Sequence, residues 1–515
     1  MDKCTLPIGI QSFRNVRERN CYFVDKTGYA LRLFREGTYF FLSRPRRFGK
    51  SLFVDTLKHL FEGDRDLFEG LEAYNRWDWS VRYPVVRLDF AGLNATRPGA
   101  LEEDVLAQLL NLERNAGVRA RHTSGPRRLE DLIRTLHRDA GQPVCVLVDE
   151  YDKPILDALE DRDLARANRD YLSGLYGMLK ACDQDIRFAF LTGVSKFSNV
   201  SLFSGLNNLR DITLNPAYSA ICGYTDRDLD TVFAAELPGL DRERIREWYN
   251  GYTWGGEQEV YNPFDVLLLF AEREFKAWWF ETGTPSFLVK TLVERNISTA
   301  SLDGMLASEG DLGKFEVDSI APEALLFQTG YLTIGGQETC HGEQCYRLVY
   351  PNREVRLSLN ATLLTYLTGR DTQRRQHRGA LAELLTSGDL TGLERRIRAL
   401  YESIPYEWHT RNEIARYEGY YSSVFYSYVL GLDVEVTVED SSNRGRLDLA
   451  VQAGSQVYLF EFKLWRQSGS GSALAQLKDR DYAAKYRHLG LPIHLVGVEF
   501  NPQTRNVEVF EHALA

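Results

Sequence analysis

The segment Ser43-Arg-Pro-Arg-Arg-Phe-Gly-Lys-Ser51 leaves its surroundings little freedom. Gly49, Lys50 and Ser51 in succession supply what a nucleoside triphosphate requires: backbone amides around the phosphates, an ammonium reaching the outer ones and a hydroxyl on magnesium. Such a loop works only between a buried strand and the N-terminus of a helix, whose partial positive charge faces the anion. Both flanks fit. Tyr39-Phe-Phe-Leu42 reads as the strand, and Leu52, Phe53, Leu57 and Leu60 begin a helical apolar stripe. Arg44 stands where the first glycine of the G-x-x-x-x-G-K-[ST] pattern would fall, so the entry turn must differ.

A second run, Val144-Cys-Val-Leu-Val-Asp149-Glu150, is continuously apolar and ends in two carboxylates. That is the pattern of a central parallel strand meeting a ligand at its C-terminal edge. Asp149 is expected to hold magnesium, directly or through water, and Glu150 to polarise the attacking water. A third run, Phe188 to Ser195, ends likewise in polar residues and offers Thr192 as a sensor of the terminal phosphate. Arg46, Arg47 and Phe48 complete the expected nucleotide-binding loop, the arginines either contacting phosphates or reaching across a subunit boundary as arginine fingers. The alternative is three ordinary buried strands ending in polar loops.

Near the C-terminus, Arg446-Leu-Asp448-Leu-Ala-Val451 and Gln456-Val-Tyr-Leu-Phe-Glu461-Phe-Lys463 alternate around Ala453-Gly-Ser455, which spells a hairpin. Tyr458, Phe460 and Phe462 share one face, Glu461 and Lys463 the other. With Gly454-Ser455 as a two-residue loop, Asp448 falls opposite Glu461, and cross-strand Cβ atoms sit roughly 4.5 to 5.5 Å apart. Two carboxylates so placed repel unless a cation lies between them, which is the donor set of a magnesium site. Lys463 then orients water or steadies developing charge. Glu418 is a further candidate ligand, because Tyr421, Phe425 and Val429 follow it at helical spacing. The bland alternative is a surface ion pair between Glu461 and Lys463, with Asp448 in a turn.

The 515 residues exceed what one core usually holds, and 44% hydrophobic with 26% charged residues is a globular balance. A net charge of −10 argues against indiscriminate coating of nucleic acid. Arg444, Arg446, Lys463, Arg466, Lys478, Arg480, Lys485 and Arg487 nevertheless crowd the hairpin region, as a local phosphate-binding field or as a solvated charged face. Tyr420, Tyr421, Tyr426 and Tyr428 recur at helical spacing, which favours a core or interface over stacking on bases. No basic region followed by an apolar stretch opens the chain and no apolar run is long enough for a membrane span, so a cytoplasmic protein is expected. Seven scattered cysteines fit reduced thiols, and Cys340-His-Gly-Glu-Gln-Cys345 lacks the second pair that a zinc site needs.

Taken together, Arg44 to Ser51, Val148-Asp-Glu-Tyr-Asp-Lys-Pro154, Thr192-Gly-Val-Ser-Lys-Phe197, Trp248-Tyr-Asn-Gly-Tyr252, Tyr261-Asn-Pro263 and Gln328-Thr-Gly-Tyr-Leu332 resemble the predicted AAA-ATPase-like family of bacterial and archaeal proteins that carry a C-terminal PD-(D/E)XK nuclease-superfamily domain. The resemblance runs through nearly the whole chain. It implies an α/β protein: an ASCE/AAA-like P-loop NTPase with a parallel sheet and flanking helices, a helical or winged middle region, and an α/β nuclease-like domain. It implies an ATP-binding domain joined to a nuclease-like one; beside it, the residues lead us to expect ATP and Mg2+ as cofactors, with Mn2+ an alternative at the nuclease site, and nucleic acid, DNA ahead of RNA, as the partner. Asp25-Lys-Thr27 also matches the family and either borders the nucleotide or caps a helix. Gln476 and Tyr482 resemble a later family motif.

The expected domains are residues 1–225 for the NTPase, 226–350 for a helical lid with a winged-helix-like element, 351–405 for a helical connector and 406–515 for the nuclease-like part. Two functions stay open. In one, ATP binding or hydrolysis gates a magnesium-dependent nuclease. In the other, the protein is a non-cleaving ATP-dependent switch that binds nucleic acid or a protein partner through a nuclease-like fold. A homo-oligomer is compatible with either.

Overall fold

The computed structural model describes residues 3–197, 202–203, 206, 208–279, 291–292, 302–313, 320–340, 342–368, 374–402, 404, 418–430, 432, 434–442, 445–465 and 472–515. The described residues divide into two compact units, one from 1–282 with 306–354, the other from 283–305 with 355–515.

Five strands form the sheet of the first unit: β1 (Tyr39–Ser43), β2 (Val85–Asp89), β3 (Val144–Asp149), β4 (Ile186–Gly193) and β5 (Arg210–Asp211). Their order is β2-β3-β4-β1-β5, and every neighbouring pair is parallel. Every residue of β1 and β3 is buried, as expected when helices cover both faces of a parallel sheet. The helix Lys50–Glu62 leaves β1 through Gly49, whose φ of 92° opens the turn that a side chain would resist. The closing strand falls at Arg210–Asp211. The Asp211 carboxylate accepts the Thr213 amide at 2.8 Å and turns the chain away, and Pro216 opens a short 3-10 turn.

Residues 226–279 and 306–354 pack within this same unit. Thr225 caps the next helix through a reciprocal capping box with Asp228. Three further strands, β6 (Met305–Ser308), β7 (Thr333–Cys340) and β8 (Glu343–Val349), lie in the order β6-β8-β7. Two of the sequence motifs in this region brace the phosphate loop. Tyr252 and Trp254 stand edge-on to Phe48, with ring centroids at 4.8 and 5.2 Å. Gly330 has φ +86°, and a Cβ there would meet Pro45 at 2.7 Å. Gln328 accepts the Lys196 amide at 2.8 Å and donates to the Leu312 carbonyl at 2.6 Å, holding the chain that follows β4.

The second unit is built on β9 (Glu435–Ser442), β10 (Gly445–Ala453), β11 (Gln456–Leu464), β12 (Ile493–Asn501) and β13 (Asn506–Leu514), in the order β13-β12-β11-β10-β9. Only β11 and β12 are parallel. The β10–β11 hairpin pairs Ala453 with Gln456, so Gly454-Ser455 is the two-residue loop that the alternation predicts. Tyr458, Phe460 and Phe462 face a core completed by Tyr421, Val424 and Phe425 of the helix Glu418–Val429. Leu381, Leu385, Leu393, Ile397 and Tyr401 join the same core, so the helices Arg374–Ser387 and Leu390–Glu402, read from sequence as a connector, form part of this layer. Tyr420, Tyr421, Tyr426 and Tyr428 are all buried there.

The opposite face buries Val457, Leu459 and Leu495 against Leu477 and Tyr482. The helix Ser472–Asp479 lies so close to β12 that a Cβ at Gly497 would stand 2.9 Å from Leu474 Cα. Because the obstructing atoms are backbone, the helix itself must move. Gly497→Ala is therefore expected to destabilise this unit by about 2–3 kcal/mol, read as a lower unfolding midpoint. An unchanged midpoint would contradict the close approach. Among the described residues no helix is long and apolar enough to cross a membrane.

Candidate functional site

At the C-terminal edge of the first sheet, the end of β1 and the end of β3 border a cavity of about 440 Å³, within the range of small-molecule sites. Among the described residues, Lys26, Arg46, Arg47, Lys50 and Lys153 line it against the single carboxylate of Glu150, a balance that attracts a polyanion. Gly49 and Ser51 line the same wall. Lys50 is 4% exposed; its ammonium donates to the Pro45 carbonyl at 3.1 Å and stands 3.6 Å from Glu150. Glu150 holds a φ of +52°, a conformation that non-glycine residues adopt at a cost of about 1–3 kcal/mol and that clusters at functional positions. Arg47 also has positive φ, 72°, and its guanidinium lies 4.5 Å from the centre of the Phe264 ring.

Asp149 is wholly buried. Burial pushes its carboxyl up to about 6, countered by a hydrogen bond from Ser51 and by the charge of Lys50. Its Oδ2 has no hydrogen-bond partner among the described residues, the nearest cation being Arg87 at 4.0 Å. A buried, unsatisfied carboxylate oxygen beside a serine hydroxyl fits the hard-oxygen set that magnesium takes. The sign of the pH effect follows. The raised carboxyl favours the folded state below the ordinary carboxylate range, and this contribution is lost as pH rises toward 6. At pH 7.5 the ligand-free fold then carries roughly 3 kcal/mol of burial cost, from about two pH units at 1.36 kcal/mol each. Asp149→Asn is expected to raise the ligand-free unfolding midpoint at pH 7.5 and to leave it nearly unchanged at pH 4. Equal effects at the two pH values would refute this.

The structure does not bring Thr192 to the cavity. It is wholly buried and its hydroxyl donates to the Leu42 carbonyl at 2.9 Å, tying β4 to β1. Phe48 is also buried, and its ring anchors the loop between Tyr252 and Trp254. Asp25 takes the cap reading: its carboxylate accepts the amides of Thr27 at 2.8 Å and Glu72 at 2.7 Å. Lys26 lines the cavity and pairs with Asp228 at 3.1 Å. Sequence reasoning gave Asp152 no role. It is fully buried and accepts the amides of Val194 and Ser195, at 3.1 and 2.6 Å, and the Ser195 hydroxyl, at 2.5 Å. That clamp joins the end of β3 to the end of β4, and in the sequence Asp152 stands among Asp149, Glu150 and Lys153, so no local pattern singles it out.

In the second unit the register Leu449↔Phe460, continued one step, sets Asp448 opposite Glu461 on the face that the helix Ser472–Asp479 covers. Asp448 accepts the Phe462 amide at 2.8 Å. Glu461 is 1% exposed, so it is no surface residue; its Oε1 accepts from Gln476 and from Lys463, whose ammonium is 2.9 Å away. Gln476 thus reaches Glu461, and Tyr482 is buried in the core of the same face. The helix that opens with Glu418 packs on the other face of the sheet, through Phe425 against Phe460 and Phe462. The Glu418 side chain itself, like those of Arg444, Arg446 and Arg466, lies outside the described residues. Arg487 is engaged by Asp481 at 2.7 Å. The paired carboxylates fit a divalent cation by donor chemistry.

A parallel sheet with a Gly-Lys-Ser loop at the edge of its first strand, answered by an acidic pair at the end of a neighbouring one, defines a P-loop NTPase unit, and the second unit has the mixed sheet and acidic hairpin of a nuclease-like domain. Comparison with known families agrees: a model described as predicted AAA-ATPase matches residues 7–203, and one described as PD-(D/E)XK nuclease superfamily matches residues 416–510. Over 513 residues, 99% of each chain, the protein is 53% identical to one from Azotobacter chroococcum mcd 1 named "Uncharacterized protein in vnfD 5'region". The chain belongs to the predicted AAA-ATPase family that carries a C-terminal PD-(D/E)XK nuclease-superfamily domain. Its architecture is a predicted ATPase-like domain joined to a nuclease-like one; families of the first type generally use ATP, and families of both types divalent metals.

Proposed function

We propose that this protein is a nucleotide-switched nuclease, in which ATP in the N-terminal unit controls a magnesium-dependent phosphodiesterase in the C-terminal unit, with DNA as substrate. The observation that carries this reading is the burial of Glu461 opposite Asp448: a retired site has no physical reason to keep two carboxylates facing one another across a hairpin. In the first unit Lys50 binds the outer phosphates, with Arg46 and Arg47 beside it. Ser51 and Asp149 hold magnesium, and Glu150 polarises the attacking water from its strained backbone position. Arginine fingers acting between subunits belong to the same proposal. In the second unit Asp448 and Glu461 hold the cation, Mg2+ or Mn2+, with Glu418 a further candidate. Lys463 steadies charge that develops on the phosphate. The bound cation would supply Lewis acidity and an activated water. Thr192 has no part in this scheme, since its hydroxyl is committed to Leu42.

A second reading, a non-cleaving ATP-dependent switch, draws on one observation: Glu461 Oε1 is already committed to Lys463 and Gln476. Plasmid and single-stranded DNA cleavage with magnesium or manganese, measured with and without ATP, separates the two. A cleavage rate that responds to ATP is the expected result. Cleavage indifferent to ATP removes the switch, and DNA binding without cleavage under every condition supports the second reading.

A further inference from the structure

Two buried acids of the first unit take no part in the sites described above. Asp265 lies in the helix Pro263–Glu272, whose first turn supplies Pro263 and Phe264 to the cavity wall, and is 1% exposed. Glu354 stands in the first turn of the helix Arg353–Thr368 and is wholly buried. The two carboxyls hydrogen-bond to one another, and burial together with the charge of Glu354 holds Asp265 well above the ordinary carboxylate range. Asp265 therefore keeps its proton and donates to the Glu354 carboxylate, because two like charges buried side by side do not both persist. The pair retains one negative charge. It is faced by the phenols of Tyr249 and Tyr252, which burial keeps neutral, and by a cation whose charge acts on Asp265, Arg47 of the phosphate loop.

The pair is engaged at both ends. On one side the Arg47 guanidinium lies against the ring of Phe264, the residue next to Asp265, and the neighbouring Phe48 packs edge-on to Tyr252. On the other side Glu354 accepts the Trp279 amide at 2.7 Å. Trp279 comes shortly before residue 282, where the chain first leaves the first unit, and Glu354 is the residue at which it leaves again, its helix running on into the second unit. One carboxylate thus ties together the two passages of the chain out of the first unit.

Two groups compete for the charge of Arg47. In the structure it lies over Phe264 and offsets the buried charge of the acid pair. A nucleoside triphosphate held by Lys50 and Ser51 offers it phosphate oxygens, which arginine binds more strongly than an aromatic face. A ligand that takes Arg47 leaves the charge on the pair without that counterweight, and an unbalanced buried charge is costly. The arrangement of the segments that Glu354 ties together then becomes less favourable. We propose that Asp265 and Glu354 form the relay through which a nucleoside triphosphate at the phosphate loop acts on the segments leading into the second unit, with Arg47 as the element both compete for. This rests on the nucleotide-binding part of the reading above and is independent of cleavage.

The test is amide hydrogen exchange on the full chain with and without ATP and magnesium, together with ATP titration calorimetry. In the parent, ATP is expected to speed exchange in the helix Arg353–Thr368 by about fivefold or more, the lower end of ordinary allosteric coupling. Glu354→Gln keeps an acceptor for the Trp279 amide and removes the charge. It is expected to lose that response and, because coupling is reciprocal, to bind ATP about fivefold more tightly. Asp265→Asn keeps both a donor to Glu354 and the charge of the pair, and is expected to respond as the parent does. A purely structural pair would instead leave the response to ATP intact in every folded variant, and a Glu354→Gln protein that responds like the parent overturns the proposal. Should Glu354→Gln not fold, Arg47→Gln saturated with ATP decides: loss of the response supports the relay, and its retention overturns it. If the parent binds ATP with no change in this helix, the relay falls and the nucleotide site stands. If the parent does not bind ATP, both fall.

Discussion

Arg44→Gly, which restores the missing glycine of the phosphate-loop pattern, is expected to destabilise the N-terminal unit by about 4 kcal/mol and to impair nucleotide binding, where sequence consensus alone would forecast an improvement. Arg44 is fully buried. Its guanidinium donates to the carbonyls of Ser43 at 2.8 Å, Thr213 at 3.0 Å and Tyr218 at 3.1 Å, and lies 4.2 Å from the centre of the Trp254 ring. Burial lowers its pKa only to about 10, so it stays cationic at neutral pH. The planar fork of arginine satisfies three backbone acceptors at once, which glycine cannot do and the single ammonium of lysine does poorly. Each carbonyl left unpaired in a buried place costs about 1–3 kcal/mol, and the emptied volume adds a cavity term. The relief of no longer burying a charge offsets part of this. Urea unfolding together with ATP titration checks the expectation, and a variant as stable as the parent with normal ATP affinity would show that Arg44 is no keystone of the loop. The entry turn differs from the pattern because the space that glycine would leave open is occupied by a bracket joining β1 to the segment Thr213–Tyr218.

What could be read from sequence and what could not divide along physical lines. The strands β1, β3 and β4 were legible because a strand buried on both faces is written as an unbroken apolar run. The β10–β11 hairpin was legible down to its register, since a two-residue glycine turn and strict alternation leave one pairing that keeps Tyr458, Phe460 and Phe462 together. The place of Glu499, buried on β12 beside Lys463, was not legible. Its neighbour Lys463 lies across a parallel pairing, whose register is set by the crossover that contains the helix Ser472–Asp479 and by the contact at Gly497. Arg44 and Asp152 escaped for a related reason: a charged residue is read as surface, and only the tertiary structure supplies buried backbone partners for it. Thr192 sits at the polar end of β4 as expected, but strand periodicity does not reveal that its hydroxyl serves the Leu42 carbonyl. The helices Arg374–Ser387 and Leu390–Glu402 look like a connector because their charge is high and their apolar stripe is narrow, yet that stripe is enough to cover one face of a sheet.

Asp448→Ala is expected to lower metal-dependent DNA cleavage by about 10²–10³-fold, the scale on which loss of one preorganised electrostatic contributor acts, while ATP binding remains that of the parent. The cost to the fold is small by comparison, because Asp448 is only half-buried and the amide of Phe462 that it accepts lies at the edge of the same hairpin. Lys50→Ala probes the other half of the scheme. Its ammonium is buried at the phosphate loop and faces Glu150 at 3.6 Å, so its removal is expected to abolish ATP hydrolysis and with it any response of cleavage to ATP. The cleavage rate in the absence of nucleotide should survive. The pair of variants has more force than either alone: loss of cleavage with ATP binding intact in one, and loss of nucleotide response with basal cleavage intact in the other, is the signature of a catalytic centre coupled to a separate switch. If Asp448→Ala cleaves as the parent does, the carboxylates on β10 and β11 are not the centre. If Lys50→Ala still responds to ATP, the nucleotide that matters is not bound at the Gly-Lys-Ser loop. If Lys50→Ala loses basal cleavage as well, Lys50 matters to cleavage independently of nucleotide, and the separate-switch reading falls.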